Sequence, residues 1–341
     1  MPRFSNAALQ DPQKNADYLT TSMAVLEAPR QFVIQQDALM SCSPDEVLIQ
    51  VEGCGVSASN LPLWEGRPDL EYPMSSGAPG HEAWGTIVAM GSQVSRVSDD
   101  LRLGQRVTCL GNYAFAHFMK APAQEVVPLP ESLNGIPFPG EAIGAAMNIF
   151  QRADIQAGQT VAIIGAGFLG LLLVQLSKSV GAQVVVLSRR ASARALATQY
   201  GADACFDLED WENHAHNIVR MTDAIGCERV IEVTGLQLAI NIATEMIAEY
   251  GRLVIAGYHR DGNRHVNLEK WNWRAIDVVN AHERDPRRYL RGIRAGICAL
   301  EEGRIKPQEL LTHRFRLDQL NEAFQMIVDR PDGFIKGWVQ L

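Results

Sequence analysis

QTVAIIGAGFLGLLLVQLSKSVGAQVVVLSRR, residues 159–190, is the stretch whose reading decides the fold. Val161–Ile164 is a short apolar run rich in β-branched residues, the composition of a strand buried on both faces. It ends in Gly165-Ala166-Gly167-Phe168-Leu169-Gly170, and Leu171–Ser177 continues as a mostly apolar helix. After the break at Gly181 a second apolar run, Val184–Leu187, follows. The unit is therefore βαβ with the glycines in the strand-to-helix turn, the context that gives this glycine spacing its meaning. Gly165 permits the tight turn, Gly167 lets backbone amides approach a pyrophosphate, and Gly170 lets the helix pack close to the strand. The diphosphate would sit at the helix start, where N–H groups and the helix dipole favour an anion. A dinucleotide site over Gly165, Gly167, Phe168, Leu169 and Gly170 is expected.

The end of the second strand bears on which dinucleotide. Units that bind NAD usually carry an acidic residue there, holding the ribose hydroxyls. This chain has Ser188 followed by Arg189 and Arg190. A carboxylate would repel a 2′-phosphate, whereas a hydroxyl and guanidinium forks would bind it. The expectation is NADP(H), with NAD(H) as the alternative.

Composition narrows the rest. At 341 residues the chain is long enough for two domains, each with its own core. A net charge of −8 with no basic block argues against nucleic acid as a partner. No apolar run reaches the length of a membrane span, and MPRFSNAALQDPQKNADY lacks a signal-peptide core. The six cysteines are scattered without a CxxC pair, which is the usage of free thiols rather than a disulfide framework or zinc knuckle. A cytoplasmic protein with a small-molecule substrate is expected.

From Ser22 onward, MAVLEAP, QFVIQQ, EVLIQVEGCGV, GTIVAMGSQV and QRVTCLG read as short strands broken by turn residues, a β-rich domain of barrel type. Around Pro139 the texture changes. Glu141–Ala153 is helical in composition and leads into the βαβ stretch. Beyond it, strands and helices alternate through ALATQYGA, RVIEVTG, a helix over Ile240–Ala248, and GRLVIAGY, the pattern of a doubly wound parallel sheet. Arg287–Glu302 reads as a further helix, and FIKGWVQL as a closing strand. The fold class is α/β. The expected division is a polar N-terminal extension over 1–21, a β-rich domain over 22–153, a dinucleotide domain over 154–290, and a C-terminal segment over 291–341.

The order of these parts resembles the medium-chain dehydrogenase/reductase superfamily, most of all its zinc-dependent polyol and threonine dehydrogenase branch. The resemblance runs from Ser22 to Leu341 and rests on GCGVSASNLPLWEG, GAPGHEAWGTIVAMGSQV, GQRV, GEAIGAAMNIFQRA, the glycine turn, and RVIEVTG followed by GRLVIAG. It implies a GroES-like catalytic domain, a Rossmann coenzyme domain, a C-terminal segment that returns to the catalytic domain, and an active site between the domains. It also implies a homodimer or homotetramer. The four-cysteine structural zinc lobe of many relatives has no counterpart, because GQRVTCLG runs almost directly into NYAFAHFMKAP.

The resemblance also implies a catalytic zinc. Zinc acts on an alcohol as a Lewis acid and lowers the pKa of the bound hydroxyl. By position, His81, Glu82 and Glu141 match the family's ligands, and Ser57 stands where the family has a cysteine. Serine stays protonated near neutral pH and binds zinc weakly. Cys54 lies three residues away. Asn60 occupies an acidic position that normally orients the metal-binding histidine, and Pro62 replaces a proton-relaying histidine. Ser59 matches the hydroxyl residue that contacts the reacting oxygen. His81, Glu82 and Glu141 alone could hold zinc with water in the fourth place.

Further candidates are Thr234 and Gly257, at strand ends where open α/β sheets bind ligands. His259 and His282 could donate a proton if zinc is absent, and Trp64 is either a pocket wall or a core aromatic. Three functions follow. One is an NADP(H)-dependent alcohol dehydrogenase or ketone reductase using Ser59, His81 and Glu82. The second is a zinc-independent reductase of an activated double bond or carbonyl. The third is a nucleotide-binding protein without turnover.

Overall fold

A computed structural model describes residues 20–38 and 41–341, and the statements below concern these residues. Most of the expected 1–21 extension therefore lies outside them. The strands, in chain order, are β1 (Thr20–Ala28), β2 (Gln31–Ala38), β3 (Glu46–Gly55), β4 (Glu82–Met90) and β5 (Arg106–Cys109). Next come β6 (Phe118–Pro122), β7 (Val126–Pro128), β8 (Thr160–Ile164), β9 (Gln183–Leu187) and β10 (Ala204–Phe206). The last are β11 (Cys227–Glu232), β12 (Ile247–Ile255), β13 (Asp277–Asn280), β14 (His313–Arg316) and β15 (Gly337–Gln340).

The chain forms two compact units, one ending at Ala142 and resumed over Leu311–Leu341, the other spanning Ile143–Leu310. The division falls inside the helix Gly140–Ala153 and after the helix Pro286–Glu301, where sequence texture alone suggested 153 and 290. The later helix keeps to the second unit because its apolar side packs there. Gly292 and Gly296 on it meet Asn148 and Ile143 so closely that a Cβ would overlap them.

In the first unit the sheet runs β14-β15-β3-β4-β5-β7, with β6 also on β3. β3 is its spine. EVLIQVEGCG buries most of its positions, and the strand pairs antiparallel with β15, β4 and β6. The C-terminal residues thus complete the sheet that the N-terminal half begins. The helix Leu320–Asp329 closes the core by setting Phe324 against Trp64, Phe32 and Phe115, with ring centroids 5.6, 5.5 and 6.2 Å away. Trp64 is 2% exposed, which makes it a core aromatic rather than a pocket wall.

The second unit holds a six-stranded parallel sheet in the order β10-β9-β8-β11-β12-β13. Taken from β8, the spatial order is three-two-one-four-five-six, that of the Rossmann fold. Every residue of β8 is buried, as its unbroken apolar run requires of a strand covered on both faces. The helix after the glycine turn starts at Phe168, earlier than its apolar run suggests. The helix expected over Ile240–Ala248 occupies Gln237–Met246, and Ile247 begins β12. A β-branched, apolar run is compatible with either state, and pairing of Ile247 with Cys227 on β11 decides it.

Candidate active site

In the first unit, three side chains converge at the start of β4. Ligand-capable atoms of His81, Glu82 and Glu141 all lie within 4.8 Å of one another. His81 and Glu82 are adjacent in sequence, and Glu141 comes from the first turn of the helix Gly140–Ala153. Gly140 can start that helix here because it packs directly on Thr108; any side chain would collide with the threonine.

His81 is oriented from behind. Its Nδ1 lies 3.0 Å from the Pro79 carbonyl and 3.2 Å from Asn60 Nδ2, while Asn60 Nδ2 also donates to Pro79 O at 2.8 Å. The carbonyl can only accept, so it takes a proton from Nδ1, and the Asn60 amide, a donor, spends its hydrogen on the same carbonyl rather than on the ring. Nε2 then carries the lone pair, and it faces Glu141 Oε2 at 3.8 Å. Asn60 thus occupies the expected orienting place, with the Pro79 carbonyl as the acceptor that a carboxylate would otherwise provide.

Glu82 is 1% exposed. Its Oε1 accepts from Lys336 Nζ at 2.6 Å, and its Oε2 is buried with no hydrogen-bond partner. Gly55, opposite it on β3, makes room, since a Cβ there would overlap Oε2. An orphaned buried carboxylate oxygen is costly unless something cationic or protic meets it. One imidazole nitrogen and two carboxylates form a donor set suited to a borderline or hard divalent cation, zinc included. The residues present fit the metal.

Ser57 and Ser59 lie on the short turn that follows β3. Ser57 Oγ is 2.9 Å from Ser59 Oγ and accepts from the Ser59 amide at 3.4 Å, so the hydroxyl in the cysteine's place works as a turn cap. Cys54 does not join the cluster. It is wholly buried, lies in the apolar core, and its thiol is held far above the usual range by burial and then by the Glu82 charge. Pro62 is the second residue of the helix Leu61–Glu65 and is buried. A separate cavity of about 400 Å³ on this sheet is lined by Glu52, Trp84, Arg106 and Trp338, among others. Arg106 is committed there to Glu52 and to the Leu133 and Ile136 carbonyls, and no ligand set converges.

In the second unit the glycine turn is built as its spacing implies. Gly165 has φ +113°, a conformation costly for other residues. Gly170 packs on the Gly165 carbonyl so closely that a Cβ would overlap it. A Cβ at Gly167 would meet no protein atom within 4 Å, so the space at the helix start is open there. Phe168 and Leu169 open that helix. Thr234, at the end of β11, lies beside Gly165, and Gly257 follows β12 with its amide on Glu232 O at 2.9 Å. Ser188 is buried at the end of β9 and Arg189 is exposed. Arg190 reaches Ala166 O at 3.4 Å, inside the glycine turn.

Other contributors were not singled out in the sequence. Arg194 Nη1 donates to the Ser188 and Arg189 carbonyls at 2.7 and 3.0 Å, which fixes the Ser-Arg-Arg turn. Lys336 had a visible signal, a lysine inside the strand-like FIKGWVQL. Glu232 is fully buried; its Oε1 accepts from the Thr234 amide, the Thr234 hydroxyl and the Gly235 amide at 2.5, 2.6 and 2.7 Å. His259 Nε2 is 3.0 Å from Glu232 Oε2 and its Nδ1 accepts from Arg264 Nε at 2.9 Å. With both nitrogens engaged, His259 is not a ready proton donor. His282 is exposed, and its amide donates to Asn280.

The chain resembles known proteins over most of its length. The family of alcohol dehydrogenase GroES-like domains matches residues 43–131, and the zinc-binding dehydrogenase family matches residues 169–291. An uncharacterized zinc-type alcohol dehydrogenase-like protein of Escherichia coli, YdjJ, is 25% identical over 95% of this chain and 99% of its own length. D-arabitol-phosphate dehydrogenase of Enterococcus avium is 24% identical over 84% of this chain and 87% of its own length. Among solved structures, a Sinorhizobium meliloti protein assigned to the zinc-binding dehydrogenases, bound to NADP, superposes with a TM-score of 0.80 at 22% identity. That match covers 95% of this chain and 100% of the other.

Proposed function

The chain belongs to the medium-chain dehydrogenase/reductase superfamily, in its polyol dehydrogenase branch, and on that premise we propose that it transfers a hydride between NADP(H) and a small polar alcohol or its carbonyl counterpart. The observation that carries this reading is the buried, unpartnered Oε2 of Glu82 within a cluster completed by His81 and Glu141. His81 through Nε2, Glu82 through Oε2 and Glu141 would hold a zinc ion. When bound, zinc supplies Lewis acidity that stabilises an alkoxide, and the nicotinamide supplies or accepts the hydride.

The rest of the chemistry falls to the chain. The Pro79 carbonyl holds the His81 proton on Nδ1 and so keeps Nε2 available as a ligand atom. Lys336 neutralises Glu82 at Oε1 and leaves Oε2 without a hydrogen-bond partner. Ser59 Oγ would hydrogen-bond the reacting oxygen, and Ser57 Oγ, 2.9 Å from it, extends the contact into a two-hydroxyl path for the alcohol proton where Pro62 provides none. Gly165, Gly167 and Gly170 would cradle the diphosphate. Ser188, Arg189 and Arg190, on the turn braced by Arg194, would take the 2′-phosphate.

The test is elemental mass spectrometry on protein purified without chelator, joined to a nicotinamide absorbance assay over secondary alcohols, polyols and polyol phosphates. About one zinc per chain, lost with activity in His81→Ala, supports the reading. Protein that takes up no zinc when offered it yet oxidises NADPH against an activated double bond or carbonyl favours the zinc-independent reductase instead. Ser57 in place of a thiolate is the observation behind that second reading.

A further inference from the structure

The two loops at the carboxyl edge of β11 and β12 are joined by a chain of side chains that the reaction outlined above does not use. Glu232, Gly235, His259, Asp261 and Arg264 all take part. The backbones are already in close contact, because Gly257 packs on the Gly235 amide and Gly235, at φ +74°, packs on the Tyr258 carbonyl. Arg264 spans the junction. Its Nε donates to His259 Nδ1 at 2.9 Å, and its Nη2 donates to the Gly235 carbonyl at 2.7 Å and to Asp261 Oδ1. Guanidinium cannot accept a hydrogen bond, so His259 Nδ1 must carry a lone pair. The single ring proton then lies on Nε2 and points at Glu232 Oε2, 3.0 Å away.

We propose that Arg264 and His259 form a proton-sensitive staple that fixes the loop after β12 against the exit of β11 and opens when His259 takes up a second proton. The consequence for coenzyme rests on the function proposed above, since this edge is where the nicotinamide end of a dinucleotide would lie in a Rossmann sheet. A proton on Nδ1 would turn an acceptor into a donor facing another donor, and would set imidazolium against guanidinium. The charged groups bonded to the ring are Glu232 from β11 and Arg264 from the loop; Asp261 in turn holds Arg264, and the Arg260 charge acts on Asp261. Glu232 stabilises the imidazolium while Arg264 opposes it, so protonation strengthens one bond of the chain and breaks the next. The ring is 16% exposed, which gives the proton a route from solvent.

The test uses hydrogen–deuterium exchange over residues 257–266 of the full-length, coenzyme-free protein at about pH 8 and about pH 5, corrected for intrinsic exchange. Wild type should lose protection about tenfold at the lower pH, the scale of one charge-assisted hydrogen bond. Arg264→Ala should be unprotected at both. His259→Gln can still donate to Glu232 and accept from Arg264, so it should stay protected at both. Equal protection of wild type at the two pH values, or His259→Gln following wild type, overturns the proposal. NADPH affinity is measured on the same samples. It should fall with loop protection; if exchange behaves as described while no dinucleotide binds at any pH, the functional reading has failed and the staple has not.

Discussion

Lys336 Nζ donates to Glu82 Oε1 across 2.6 Å, and the two side chains are 8% and 2% exposed. The pair joins the first residue of β4 to the residue just before β15, two strands of the same sheet. Removing one member of such a pair leaves a buried charge uncompensated, which costs about 3–5 kcal/mol. Lys336→Met should therefore lower the unfolding free energy by about that amount, and Lys336→Met with Glu82→Gln should recover much of it. Urea unfolding of the three proteins checks this. In Lys336→Met, added zinc should raise the midpoint more than in wild type, because the cation then supplies the missing positive charge.

Gly167 and Gly170 sit three residues apart in the same turn and should behave oppositely. A Cβ on Gly170 overlaps the Gly165 carbonyl, so Gly170→Ala should destabilise the second unit by about 1–3 kcal/mol through overpacking. A Cβ on Gly167 meets no protein atom, and its φ of −87° suits alanine. Gly167→Ala should keep stability within about 0.5 kcal/mol of wild type and still lose dinucleotide affinity. Thermal melts and NADPH titration together separate the two roles.

Arg189 is exposed at the end of β9, whereas Arg190 contacts the glycine turn and Arg194 braces the backbone between them. Arg189→Ala should therefore weaken NADPH about tenfold or more and leave NADH almost unchanged, since charge-assisted contacts to a phosphate are worth about 1.5–3 kcal/mol. Competitive titration of both coenzymes reads the difference. Equal loss for both would end the 2′-phosphate assignment.

Three buried thiols should make the fold lose stability at alkaline pH. Cys109 and Cys227 are pushed up to about 12 by burial and then by Glu125 and Glu228, and Cys54 is pushed higher still. Their ordinary value is 9.0, so their contribution is complete below about pH 9. Above it the unfolded chain releases protons that the folded chain retains, and stability falls as pH rises towards the folded values. Each thiol contributes a slope of up to about 1.4 kcal/mol per pH unit. Cys227→Ala should show a constant packing loss at neutral pH and a shallower decline between about pH 9 and 10.5. Urea midpoints across that range measure it.

Much of this was legible from short-range pattern. The all-apolar β8, the glycine spacing after it and the β-branched run of β9 can only be a strand–turn–helix–strand, because each residue's constraint is local: buried faces, a positive φ, a close backbone approach. His81, Glu82 and Glu141 were legible through their register with a known family. Helix limits were less so; Ile247 satisfies a helix and a strand equally until Cys227 pairs with it.

By itself the sequence determined the α/β class, the parallel-sheet unit, the glycine turn and the set of candidate ligands, since periodicity, glycine geometry and charge are properties of neighbouring residues. Only the tertiary structure decided which polar groups meet. Lys336 reaches Glu82 across 254 positions, Arg264 reaches Gly235 across 29, and Asn60 meets His81 across 21. Whether a buried charge is compensated, which ring nitrogen holds a proton, and whether Cys54 or Ser57 turns towards the ligands all depend on distances between strands. The folding of β3, β4 and β15 into one sheet sets those distances for Glu82 and Lys336, as the exits of β11 and β12 do for His259.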